Sequence, residues 1–119
     1  MDFKRADKVG ELIQEEISSL LLRRINDPRI GFVTLTRVKV TDDLKVSRVF
    51  YSVIGGEQEK ESSQEGLDSA TGFIRRELGR RLRLRYTPEL IFIFDDSLEY
   101  GNNIEQLIRG LKEDGRSDD

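Results

Sequence analysis

From Lys8 to Ile25 the apolar residues Val9, Leu12, Ile13, Ile17, Leu20 and Leu21 recur at steps of three and four, with Glu11, Glu15, Glu16 and Arg24 around the rest of the wheel. That spacing predicts an amphipathic helix. Asn26-Asp27-Pro28 should stop it, because a proline pushes the residue before it out of the helical region. Phe32 to Thr41 switches to a β-branched run whose alternation slips phase between Val33/Leu35 and Val38/Val40, the mark of a bulge or of a strand covered on both faces. Thr41-Asp42-Asp43-Leu44 reads as a turn and Val46 to Ile54 as a second strand, so the two strands form an antiparallel hairpin.

Gly55-Gly56 and the charged run Glu57-Gln58-Glu59-Lys60-Glu61 read as a solvated loop, with Ser62-Ser63 capping the helix after it. Leu67, Ala70, Ile74, Leu78 and Leu82 again fall three or four apart, and Gly72 and Gly79 inside that run predict a kinked helix pair. Beyond Thr87-Pro88, Leu90-Ile91-Phe92-Ile93-Phe94 has the continuous apolar pattern of a strand buried on both faces, the innermost element of the sheet. Asp95-Asp96-Ser97 caps a last helix with Ile104, Leu107, Ile108 and Leu111 on its apolar face. The expected fold class is α+β: a three-stranded sheet with helices packed on one face, forming a single domain over residues 1–112. Residues 113–119 form a short acidic tail, expected to be disordered. The element order resembles that of the type II KH domain, an RNA-binding fold.

Composition narrows the chemistry. With 119 residues, 36% apolar and 36% charged, the chain builds one ordinary core under a strongly ionic surface. It has no cysteine and no histidine, which excludes a disulfide framework and a thiolate zinc site and removes the commonest general base. Neither a membrane-spanning run nor a signal-type start occurs, so a cytoplasmic location is expected, with no membrane partner. Asp42-Asp43 and Asp95-Asp96 are the only paired carboxylates that could suggest Mg²⁺ binding or acid/base work, and both stand where turns and caps favour aspartate. Phosphate-loop, nucleophile-elbow and zinc-protease motifs do not occur. The expectation is a protein that is not an enzyme, with no cofactor and no metal site.

The charge is polarised along the chain. Phe73 to Tyr86 holds six arginines (75, 76, 80, 81, 83 and 85) against Glu77. Gly55 to Gly72 holds five acids (Glu57, Glu59, Glu61, Glu65 and Asp68) against Lys60. On a helix Phe73, Arg76, Arg80 and Arg83 share one side, and guanidinium forks suit phosphate oxygens. The competing reading is a solvated face paired with the acids. Gly72, inside Ser69-Ala70-Thr71-Gly72, has two readings: Ala70 and Gly72 let an RNA backbone approach closely, or they serve a tight helix crossing within the protein.

Several stretches resemble the bacterial ribosome-binding factor A family. They are Asn26-Asp27-Pro28-Arg29-Ile30-Gly31, Val38-Lys39-Val40-Thr41-Asp42-Asp43-Leu44, Ser69-Ala70-Thr71-Gly72-Phe73-Ile74-Arg75-Arg76-Glu77-Leu78-Gly79, and Arg83-Leu84-Arg85-Tyr86-Thr87-Pro88-Glu89-Leu90 with Asp95-Asp96-Ser97. The resemblance implies a KH-type fold in which Ala-x-Gly, here Ala70-Thr71-Gly72, forms an interhelical kink. It also implies a non-catalytic monomer that binds 16S rRNA on the free 30S subunit. The implied role is late maturation of that subunit, including 16S rRNA 5′-end processing, in adaptation to cold, with release by an assembly GTPase. The residues expected to face rRNA phosphates are Arg75, Arg76, Arg80, Arg81 and Arg83, with Ala70 and Gly72 at the kink. Lys4, Arg5 and Lys8 on the first helix, and Lys39, Lys45 and Arg48 on the hairpin, extend the footprint. The alternative from a different class is a protein-interaction adaptor whose charged surfaces bind a partner protein rather than RNA.

Overall fold

The computed structural model describes residues 3–97, and the expected last helix and acidic tail lie outside them. Its elements are α1 (Phe3–Arg23), β1 (Val33–Val40), β2 (Val46–Val53), α2 (Glu57–Leu82) and β3 (Glu89–Phe94). The sheet order is β1-β2-β3, with β1 and β2 antiparallel and β3 parallel to β2. This is the α+β, KH-like arrangement expected from the element order.

The phase slip in β1 is a bulge. The register shifts between Leu35 and Arg37, leaving Thr36 unpaired. Val33 and Leu35 on one side of the bulge, and Val38 and Val40 on the other, therefore all pack toward the core. The hairpin turn is held by Asp43, whose Oδ1 accepts from the Thr41 hydroxyl (2.6 Å) and the Lys45 amide (3.0 Å), with Leu44 in the left-handed region at φ 62°.

Ile13, Ile17 and Leu20 of α1 and Leu67, Ile74 and Leu78 of α2 close over Leu35, Val49, Tyr51, Leu90 and Phe92. Each large aliphatic side chain fully withdrawn from water contributes about 2 kcal/mol, so this apolar cluster supplies the main cohesive term. Tyr51 keeps its polar end satisfied: its hydroxyl donates to Gln64 Oε1, while Gln64 Nε2 donates to the Phe92 carbonyl at 3.0 Å.

Three sequence expectations are corrected. The solvated loop over 57–61 is the first turn of α2, with Gly56 as N-cap and its amide bonded to Glu59 Oε2 at 2.8 Å. Ser62 and Ser63 are thus not caps; they bind the Arg29 carbonyl (2.9 Å) and the Gly31 amide (3.4 Å), tying the Asn26–Gly31 motif to α2. The helix pair is a single helix, with helical structure unbroken through Ala70-Thr71-Gly72. Leu67, Ala70, Ile74 and Leu78 keep one stripe in phase there, and a single glycine costs only about 1 kcal/mol against alanine, too little to break a helix anchored on both sides. Finally, β3 is an edge strand rather than the innermost one. Leu90 and Phe92 are buried but Ile91 is 39% exposed, because among the described residues the helices cover only one face of the sheet.

Candidate nucleic-acid interface

α2 carries five of its six acids in the first half and its arginines in the second, an order that complements the helix dipole. Its C-terminal half is pinned to one end of the sheet. Arg75 donates from Nε to the Pro88 carbonyl (3.1 Å) and from Nη2 to the Thr87 carbonyl (3.0 Å). Gly79 admits Thr87, whose Oγ1 would lie 2.7 Å from any Cβ at that position. The Glu89 amide then bonds the Lys45 carbonyl at 2.8 Å, which brings the β1–β2 turn to the same end. α1 joins through Gly10, where an added Cβ would meet the Val38 carbonyl oxygen at 3.0 Å. Lys4, Arg5 and Lys8 precede Gly10 on α1, so their helical turns lie at this end too, with Arg5 and Lys8 exposed.

Within the arginine group the structure separates roles that the sequence presents as one stripe. Arg80 Nη2 binds Glu77 Oε2 at 2.6 Å, and Arg81 bridges Glu77 (3.3 Å) and Glu16 of α1 (3.2 Å). The guanidiniums of Arg80 and then Arg81, with Arg24 adding its field, hold the Glu77 carboxyl below its ordinary range. Arg76 and Arg83 are exposed and make no ion pair among the described residues. Arg83 is the helix C-cap, in the left-handed conformation at φ 51°, ψ 40°. Phe73 turns inward against the core, and the exposed ring beside the arginines is instead Tyr86, with the Arg85 guanidinium carbon 5.6 Å from its centroid. The acids that pair with this end are Glu16 and Glu77, not the Glu57–Asp68 group.

Gly72 is exposed, and a Cβ there would meet no described residue within 4 Å, so no tight crossing among the described elements forms at it. Ala70 is half-buried against the core. The tight crossing is instead at Gly66, where an added Cβ would lie 2.5 Å from Ile30 Cγ1 and 3.3 Å from Arg29 Cβ.

The hairpin cations Lys39 and Arg48 stand directly opposite each other across β1 and β2, on the sheet face away from the helices. Arg37, outside the expected footprint, lies on the same face with its guanidinium carbon 4.1 Å from the centroid of the Phe50 ring. Counting from the bulge rather than from the strand start reveals that phase.

One carboxylate of each pair is bound into local structure, Asp43 in the hairpin turn and Asp95 after β3. Asp95 accepts from the Thr36 hydroxyl (2.6 Å) and the Ser97 amide (3.0 Å), and these bonds, from Ser97 and then Thr36, lower its pKa to about 2. Among the described residues no cluster of three acids could hold a metal ion, and no helix is long and apolar enough to cross a membrane.

Comparison with known proteins places this geometry. The model of the ribosome-binding factor A family matches residues 5–108. Ribosome-binding factor A of Trichlorobacter lovleyi is 55% identical over 117 residues, covering 97% of this chain and 95% of the relative. The crystal structure of ribosome-binding factor A from Thermus thermophilus superposes with a TM-score of 0.60 at 24% identity, over 79% of this chain and 94% of that one. A Thermus thermophilus ribosome-binding factor A model, fitted into the cryo-electron-microscopy map of a 30S–RbfA complex, matches at 26% identity. Its TM-score is 0.57, with coverage of 76% of this chain and 90% of that one. From Arg5 in α1 to the residues beyond β3, this chain belongs to the ribosome-binding factor A family.

Proposed function

We propose that the chain is a non-catalytic assembly factor of the 30S ribosomal subunit, acting in the cytoplasm, which binds 16S rRNA through the basic end of the molecule. The observation that carries this reading is the gathering of Arg76, Arg80, Arg81 and Arg83 with Lys8 and Lys45 at one end of a ribosome-binding factor A fold. Braced guanidiniums lose little freedom when a phosphate arrives, while the unpaired Arg76 and Arg83 offer all their donors. Such a factor works by population shift: it stabilises the rRNA arrangement it fits. In this reading it assists late 16S maturation, including 5′-end processing, supports growth in the cold, acts as a monomer and leaves when an assembly GTPase rearranges the site. Arg75 contributes through the fold, since its donors hold the Thr87-Pro88 carbonyls.

The test is cosedimentation with purified 30S, 50S and 70S particles at two salt concentrations. The wild-type chain should travel with free 30S, and Arg76→Glu/Arg80→Glu should remain at the top of the gradient. Equal binding by that variant would refute the basic-end model. An adaptor role remains the second reading, supported by the exposed apolar side chains Leu22, Phe32 and Ile54, and RNase-resistant complexes would favour it.

A further inference from the structure

The face of the sheet that the described helices leave open carries an arrangement that folding alone does not favour. Two like charges, Lys39 and Arg48, are placed directly opposite across an antiparallel pair, where such pairs repel. Neither has an ion-pair partner among the described residues. One pair along, Arg37 faces Phe50 and lies over its ring, with no ion pair among the described residues and the Asp95 carboxylate near enough to feel its charge. β3 continues the face with Ile91 beside Arg48 and Ile93 beside Phe50, so cations border a strip of aromatic and aliphatic surface. Two acids bound the strip, Glu89 at one end and Asp95 at the other. Asp95 has its oxygens committed to Thr36 and Ser97.

We propose that this face is a second RNA-contact surface, taking a single unpaired strand whose phosphates meet Lys39 and Arg48 and one of whose bases stacks on the Arg37–Phe50 pair. An unpaired strand fits because its bases can splay onto a planar guanidinium or ring, whereas a duplex shields them. Repulsion between Lys39 and Arg48 is relieved when a polyanion lies between them, so the strain in the free protein becomes binding energy. The inference rests on the chain being an RNA-binding ribosome factor, but it concerns a surface separate from the α2 arginines.

The test uses the full chain and thiouridine-substituted oligouridylate, with fluorescence anisotropy and photocrosslinking. Lys39→Gln/Arg48→Gln should raise the melting temperature while weakening single-strand binding roughly tenfold and flattening the log–log salt slope by about 1.4, two phosphate contacts' worth. A merely structural pair would move stability and affinity in the same direction. Arg37→Gln should reduce the preference for single strands over duplex, and crosslinks should map to β2 or β3. Unchanged affinity in both variants would overturn the proposal. So would self-association abolished by the double variant, which would assign the face to a second copy. Carbodiimide coupling of Lys39 to a carboxylate in residues 98–119 would likewise overturn it, by assigning the face to the chain's own end. If 30S binding is lost in Arg76→Glu/Arg80→Glu but both sheet variants bind RNA normally, this inference falls and the assembly-factor reading stands. If the α2 variant also keeps 30S, that reading fails.

Discussion

Two glycines six residues apart in the same helix have opposite reasons to be there. At Gly66 a methyl group collides with Ile30 and crowds Arg29, so Gly66→Ala should lose about 1–3 kcal/mol to overpacking, less the roughly 1 kcal/mol that alanine returns in helix propensity. At Gly72 no described residue would collide with a methyl group, and Gly72→Ala should stabilise by up to about 1 kcal/mol. Urea denaturation of the two variants measures both signs. If the open space at Gly72 admits an RNA backbone, Gly72→Ala will be more stable yet bind 30S less tightly, and only that combination supports the functional reading. Asp95 gives a pH prediction at the same scale. Its folded pKa of about 2 lies below the ordinary value of 3.8, so its contribution is fully present above about pH 4 and is lost as pH falls through 2. Asp95→Asn should remove on the order of 2 kcal/mol at neutral pH and flatten the acid limb of the stability curve between about pH 4 and 2.

Single elements decide how the arginine stripe should be divided. Arg75 fastens α2 to the loop before β3, so Arg75→Ala should lower stability by about 1 kcal/mol while the remaining folded protein binds RNA almost normally. Glu77 restrains Arg80 and Arg81, and Glu77→Gln should tighten RNA binding and steepen its salt dependence by removing a negative charge from the basic end. Filter binding of a labelled rRNA fragment across a salt series separates these outcomes. The elements themselves were legible in the sequence wherever periodicity was strong: both helical stripes and the hairpin follow from apolar spacing, while the phase slip in β1 left a bulge and a doubly covered strand open until the register showed the bulge. The start of α2 was not, because Glu57 to Glu61 has no apolar residue to reveal a helix whose inner face begins only at Ser63. The unbroken course through Gly72 was also hidden, since a glycine signals a break locally while the packing that overrides it is tertiary. β3 was misplaced because five consecutive apolar residues imply two covered faces, whereas Ile91 lies on a face that the described helices leave open. Of the candidate site, the basic residues were legible by type. Their partners Glu16, Thr87 and Pro88 were not, since each comes from a distant part of the chain.

Across the whole molecule, the formal charge of −3 conceals a dipole, with basic and acidic groups at opposite halves of α2. Fifteen residues separate Glu61 from Arg76, about 22 Å along the helix at 1.5 Å per residue. At physiological ionic strength the screening length is about 8 Å, so the acidic half has little influence on a phosphate arriving at the arginines. At roughly 0.01 M salt the screening length grows to about 30 Å, and the acidic half then repels the same polyanion. Glu57→Gln/Glu61→Gln should therefore accelerate association with 30S several-fold at low salt and leave the rate nearly unchanged at physiological salt. Arg76→Glu/Arg80→Glu should slow association and speed dissociation at both. Stopped-flow measurements on the two variants make the comparison direct. An equal response of the acidic variant at both salt concentrations would mean that these carboxylates touch the ribosome, and that the acidic half is part of the interface rather than a source of orientation.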